Sequence, residues 1–161
     1  MIDKIVYEPI GIIHSPFTNI EGMPIQPEGA REFRGYIEVF DQFADGLKDL
    51  DGFSHIFLIY HFHSSKGYSL HTKPFLENTL RGVFATRAPK RPNPVGLSVV
   101  RLLSIESSVL QIQDVDILDG TPLIDIKPFV SGIDNRTETS RGWMDDKAFQ
   151  FRTKRSDGRF A

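Results

Sequence analysis

Between residues 10 and 130 the apolar residues of this chain come in short β-branched and aromatic runs, bounded by proline, glycine or short polar turns. Nowhere do they sustain the helical repeat that a packed helix needs. That punctuation disfavours helical bundles and folds with long crossover helices. It predicts a mainly β, small barrel-like domain with few short helices. Strands are predicted over 10–15, 36–40, 53–62, 83–86, 95–105, 109–118 and 123–130. A short helix over 43–50 would put Phe43, Leu47 and Leu50 on one face. The run 53–62 is almost unbroken in apolar residues, which predicts a central strand buried on both faces. Glu106-Ser107-Ser108 reads as a hairpin turn. Apolar residues change phase after Ile112, which predicts a bulge near Gln113-Asp114.

The 161 residues fit one domain with a real core. The absence of cysteine removes disulfides, thiolate metal sites and cysteine nucleophiles, and it fits a reducing cytoplasm. No run is long enough for a membrane span, and the first residues lack the apolar core of a signal peptide. A net charge of −2 is low for a generic nucleic-acid coat, so any such contact must use local patches. One is the loop 81–91. Another is the tail with Lys147, Arg152, Lys154, Arg155 and Arg159.

The loop running from Arg81 to Ser98 is the leading site candidate. Pro89, Pro92 and Pro94 stiffen it, so that Arg87, Lys90, Arg91 and Asn93 project in fixed directions. Forked guanidinium donors suit a carboxylate, a phosphate or a purine edge. A solvated turn with incidental charge is the plainer reading. Gly82 and Gly96 at its edges suggest close backbone approach to a ligand or a neighbour. A second candidate is the Asp119-Gly120 turn, which Pro122 follows. There Asp116 and Asp119 suit ribose hydroxyls or an amine, unless Asp merely caps a hairpin. Third, His61 and His63 would share a face if their strand continued through both, and His55 lies upstream. Ligand contact, packing and a metal pair are all open there. Finally, Pro24 and Pro27 hold Gln26 extended, where its amide suits a nucleobase edge as well as a surface connector. A nucleophile elbow, a P-loop and a dinucleotide fingerprint are missing.

Five ordered motifs carry a resemblance: residues 10–17 (IGIIHSPF), 24–27 (PIQP), 50–55 (LDGFSH), 81–98 (RGVFATRAPKRPNPVGLS) and 116–130 (DILDGTPLIDIKPFV). Together the chain resembles the TsaA-like family over roughly residues 7–135. The resemblance implies a small β-barrel, distinct from Rossmann and knotted methyltransferases, that forms a homodimer. It implies S-adenosylmethionine as cofactor. The expected reaction methylates N6 of threonylcarbamoyladenosine beside the anticodon of tRNA. Carried over by residue, the cofactor positions are Gln26, Pro27, Phe62, His63, Arg87, Leu97, Asp116, Leu118, Asp119 and Gly120. His63 and Asp119 are the expected catalytic residues, with His61 a further proton acceptor. Lys90, Arg91 and Asn93 are the expected RNA contacts. No metal is expected. A barrel domain is expected over 1–135, with 136–161 as a strap or tail that holds Trp143, Phe149 and Phe151. Bacterial members carry a further C-terminal region where this chain has only that segment. A module that binds the cofactor or a nucleotide without turnover is the alternative, and a metal hydrolase using the three histidines a third reading.

Overall fold

The structure is a computed structural model that describes residues 4–25, 27–75, 78–145 and 153–157. Six strands close into an antiparallel barrel: β1 (Gly11–His14), β2 (Arg34–Val39), β3 (His55–His61), β6 (Val95–Glu106), β7 (Val109–Gln113) and β8 (Thr121–Pro128). Around the ring the order is β1, β2, β7, β6, β3, β8 and back to β1. The pair β4 (His71–Thr72) and β5 (Arg81–Gly82) forms a separate small sheet. One short helix, α1 (Ser131–Asp134), follows the barrel. Closure leaves the ring without an unpaired edge.

Alternation along each strand fills the interior. Ile13, Ile37, Ile56, Leu58, Val100 and Leu110 have essentially no solvent exposure. Fully burying such a side chain contributes about 1.5–3 kcal/mol over leaving it in water. Phe43, Leu47 and Leu50 pack against this core as expected, but from tight 3-10 turns over Asp41–Leu47 and Leu50–Gly52.

Three expectations are corrected. The strand β3 is not buried on both faces: Ile56, Leu58 and Tyr60 point inward, while Phe57 and Ile59 are half-buried outside. An antiparallel barrel strand has one inner face, and here Phe129 covers part of the outer one, 5.4 Å from Phe57 ring to ring. Residues 83–85 form a 3-10 turn rather than a strand, because the Thr86 hydroxyl donates back to the Val83 carbonyl at 2.8 Å. The phase change after Ile112 is not a bulge. The strand β7 ends at Gln113, and Asp114 turns the chain with φ +69°. The register shifts lie at Leu102/Ser104 and Ile59/Tyr60 instead. The hairpin between β6 and β7 is present, with Ser107 at φ +55°.

Candidate functional site

The barrel interior is graded. Inward positions of β6 run from Leu102 and Val100 to Ser98 and Gly96, paired in β3 with Ile56, Leu58 and Tyr60. The apolar core therefore gives way to hydroxyls at the end where β3 finishes. Ser98 donates its one hydroxyl proton to Asp116 Oδ1 at 2.7 Å. The 3.1 Å contact between Tyr60 and Ser98 must then be a bond that Tyr60 donates. Gly96 makes room for this chain of bonds, since a Cβ there would lie 2.2 Å from the Tyr60 ring.

A cavity of about 1000 Å³ opens over these groups. Met23 and Pro24 form one wall, and Phe62, His63 and Ser65 another. Arg87, Arg91 and Asn93 come from the proline loop, with Leu97 beside them. Asp116 and Leu118 come from the segment that crosses from β7 to β8. Trp143, Met144 and Ser156 complete the wall from the tail.

Burial pushes the Asp116 carboxyl up to about 6, against the Ser98 hydroxyl and the weaker pull of the Arg87 charge. Burial beside Asp116 likewise raises the Tyr60 phenol. His63 is shifted down, first by burial and then by the neighbouring His61. Thr121 donates its hydroxyl proton to the Leu118 carbonyl at 2.6 Å, so its oxygen accepts from His63 Nδ1 at 3.3 Å. A neutral His63 with its proton on Nδ1 keeps Nε2 as a hydrogen-bond acceptor. Ser65 Oγ is buried at the cavity wall with no hydrogen-bond partner among the described residues. A bound polar group would satisfy it.

The raised Asp116 carboxyl has a thermodynamic consequence. Its folded value near 6 exceeds the ordinary 3.8, so the native state holds the proton more tightly than the unfolded chain. The stabilisation is complete below about pH 4 and lost as pH rises through 6. Asp116→Asn is therefore expected to stabilise the ligand-free protein at pH 7.5, by up to about 3 kcal/mol. Urea unfolding across pH checks this. A gain over wild type that stays constant down to pH 3.5 would contradict it.

The sequence candidates divide in space. Phe62, His63, Arg87, Leu97, Asp116 and Leu118 line the cavity, joined by Arg91 and Asn93. The Arg91 guanidinium also staples its own loop, donating to the Thr86 and Ala88 carbonyls. Lys90 instead lines a second cavity of about 490 Å³, with His71, Lys73 and Asn78. Asp119 and Gly120 are outside both linings. Asp119 Oδ1 accepts from the Ser15 amide at 3.1 Å and lies 3.3 Å from His14 Nδ1. Gly120 takes φ +74° at the turn, and its amide donates to the Ile13 carbonyl. Gln26, the Pro27 side chain, Lys147, Phe149, Phe151, Arg152 and Arg159 lie outside the described residues.

The histidine face expected along β3 does not form. The strand stops at His61, and the chain turns there, with the His63 amide on the His61 carbonyl. His55 is at the opposite end of β3, bonded to Ser54. Among the described residues no group of three or more His, Cys, Asp or Glu is placed to hold a metal ion.

Ser98 carried a signal that sequence reasoning missed: a hydroxyl at an inward position of an otherwise apolar stretch of strand. Ser65 and Ser156 carried none.

The closed barrel, its graded interior and the large cavity at its mouth define a small β-barrel with one end built as a pocket, outside the Rossmann class. The tRNA-methyltransferase O N-terminal domain family matches residues 12–135, and this chain belongs to it. A probable S-adenosyl-L-methionine-binding protein of Pyrococcus abyssi is 52% identical over 156 residues, covering 97% of this chain and 85% of that one. The mouse tRNA (adenine(37)-N6)-methyltransferase is 33% identical over 139 residues, 82% of this chain and 32% of that one. The crystal structure of TrmO from Pseudomonas aeruginosa superposes with a TM-score of 0.75 at 36% identity. That match covers 89% of this chain, which spans 64% of the Pseudomonas chain.

Proposed function

We propose that the protein is an S-adenosylmethionine-dependent tRNA methyltransferase that acts on N6 of threonylcarbamoyladenosine beside the anticodon. One observation carries the reading: a neutral histidine with an accepting Nε2 stands in the wall of a cavity whose floor is a buried carboxylate. The residues fit the cofactor. Asp116 suits its hydroxyls or amine, Arg87 its carboxylate, and Phe62 and Leu118 its apolar faces. The unsatisfied Ser65 hydroxyl adds a polar contact.

When bound, the cofactor supplies an electrophilic methyl group, and the electrons of the broken S–C bond stay on sulfur. The protein's part is to position the acceptor and to move one proton. In this reading His63 Nε2 takes the proton that N6 gives up. Asp119 acts on His63 indirectly. By tying the turn to Ser15 and His14 it holds Thr121, and Thr121 fixes the His63 tautomer. Lys90 and Arg91 meet the RNA backbone from the two faces of the proline loop. The family resemblance brings a homodimer with it, and the exposed Phe84 and Leu97 offer apolar surface for a second copy; the lack of cysteine fits a cytoplasmic location.

A second reading, a module that binds the cofactor without turnover, is favoured by the names of several relatives, which mention binding alone. Incubation with methyl-labelled cofactor and tRNA lacking the N6 methyl separates the two. Label is expected on the modified adenosine. Tight cofactor binding with no label on any tRNA would select the binding module.

A further inference from the structure

We infer that Trp143 is the platform on which the acceptor nucleobase stacks, at the junction between the cofactor cavity and a basic groove that follows the RNA backbone. The inference rests on the methyltransferase reading. Trp143 lies beyond residues 12–135, so the matched family domain does not supply it. It is nevertheless built into the site. Its indole N–H donates to the Ala85 carbonyl at 2.8 Å, and the Arg81 guanidinium sits 5.6 Å from the ring centroid. A ring held this way loses little freedom when a base stacks on it. Downstream, the tail is fixed by a short backbone ladder: the Gly22 amide donates to the Ser156 carbonyl, and the Ser156 amide to the Met23 carbonyl.

Position assigns the ligand. The buried polar chain of Tyr60, Ser98 and Asp116 lies at the barrel mouth, where it suits the hydroxyls and amine of the cofactor. Trp143 lines the same cavity from the tail, on the side of the proline loop. At about 1000 Å³ the cavity is at the upper end for one small molecule, which leaves space for a base turned out of a single strand. Arg81, against the indole, pairs with Thr72, and Thr72 lines the second cavity with Lys73 and Lys90. Phosphates along that basic groove would bring an attached base to the indole. Aromatic stacking beside cations is how proteins hold unpaired bases.

Trp143 is the one tryptophan of the chain, so all tryptophan emission comes from this ring. The protein would be titrated with S-adenosylhomocysteine, followed by calorimetry and fluorescence, and then with an anticodon stem-loop RNA. Little change in emission is expected with S-adenosylhomocysteine and strong quenching with the RNA. Trp143→Ala should raise KM for tRNA about tenfold or more, with S-adenosylhomocysteine affinity held within about twofold, and Trp143→Phe should recover most of the loss. Quenching by S-adenosylhomocysteine as deep as that by RNA would assign the indole to the cofactor and overturn the inference. So would an unchanged KM in Trp143→Ala, or an emission that ignores RNA while S-adenosylhomocysteine binds normally. Failure of S-adenosylhomocysteine to bind at all would overturn the methyltransferase reading itself, and the inference with it.

Discussion

Replacing His63 with alanine is expected to lower kcat by about 10² to 10⁴-fold, the usual range for loss of a positioned general base. In the proposed reaction the acceptor amine must lose a proton as it gains a methyl group, and His63 Nε2 would take it. Thr121 fixes that tautomer by accepting from Nδ1. The pH profile makes the test specific. A base works only when deprotonated, so the rate should fall as pH drops through the His63 value. Burial and His61 set that value below the ordinary imidazole figure of 6.5. The acid limb of wild type should vanish in His63→Ala, with cofactor binding measured by calorimetry changed only a few fold. A variant that keeps both the limb and most of its rate would place the base elsewhere.

The second large effect is expected at Gly96. Its added Cβ would meet three atoms of the Tyr60 ring between 2.2 and 2.8 Å, far inside contact distance. Tyr60 is only 5% exposed and packs within the core cluster, so its ring can give way only toward the cavity it borders, at the cost of its core contacts. Overpacking of this kind costs roughly 1–3 kcal/mol, and Gly96→Ala should reach or pass the top of that range. It should also weaken cofactor binding, because displacing Tyr60 breaks the link to Ser98 and Asp116. Denaturant unfolding and calorimetry measure the two losses. Adding Tyr60→Leu should return part of the stability and none of the binding. If Gly96→Ala alone unfolds within about 0.5 kcal/mol of wild type, the close packing of ring and backbone is not a constraint.

The barrel was legible because alternation of apolar and polar residues is a local property, and it survives closure of the ring. Short runs between Pro and Gly marked most strands to within a few residues. The 3-10 turn at 83–85 was not legible, because four residues with two β-branched members read as a strand until the Thr86 hydroxyl is seen to compete for the Val83 carbonyl. His61 and His63 misled for the same reason: periodicity assumes a strand continues, and this one ends in a turn. The proline loop announced itself by composition, yet the division of its charges did not. Nothing in the order Arg87, Lys90, Arg91 says that the first and third line one cavity and the second another. Trp143 and Ser156 were beyond reach, because they join the site through partners 58 and more than 100 residues away.

The graded interior ties two properties together. Asp116 sits at one end of a line of bonds that passes through Ser98 to Tyr60, and Tyr60 belongs to the same cluster as Leu58 and Val100. The charged end at the mouth and the packed end in the core are thus two hydrogen bonds apart. A guest bonded to the carboxylate would therefore touch, through two hydroxyls, the same cluster that holds the strands together.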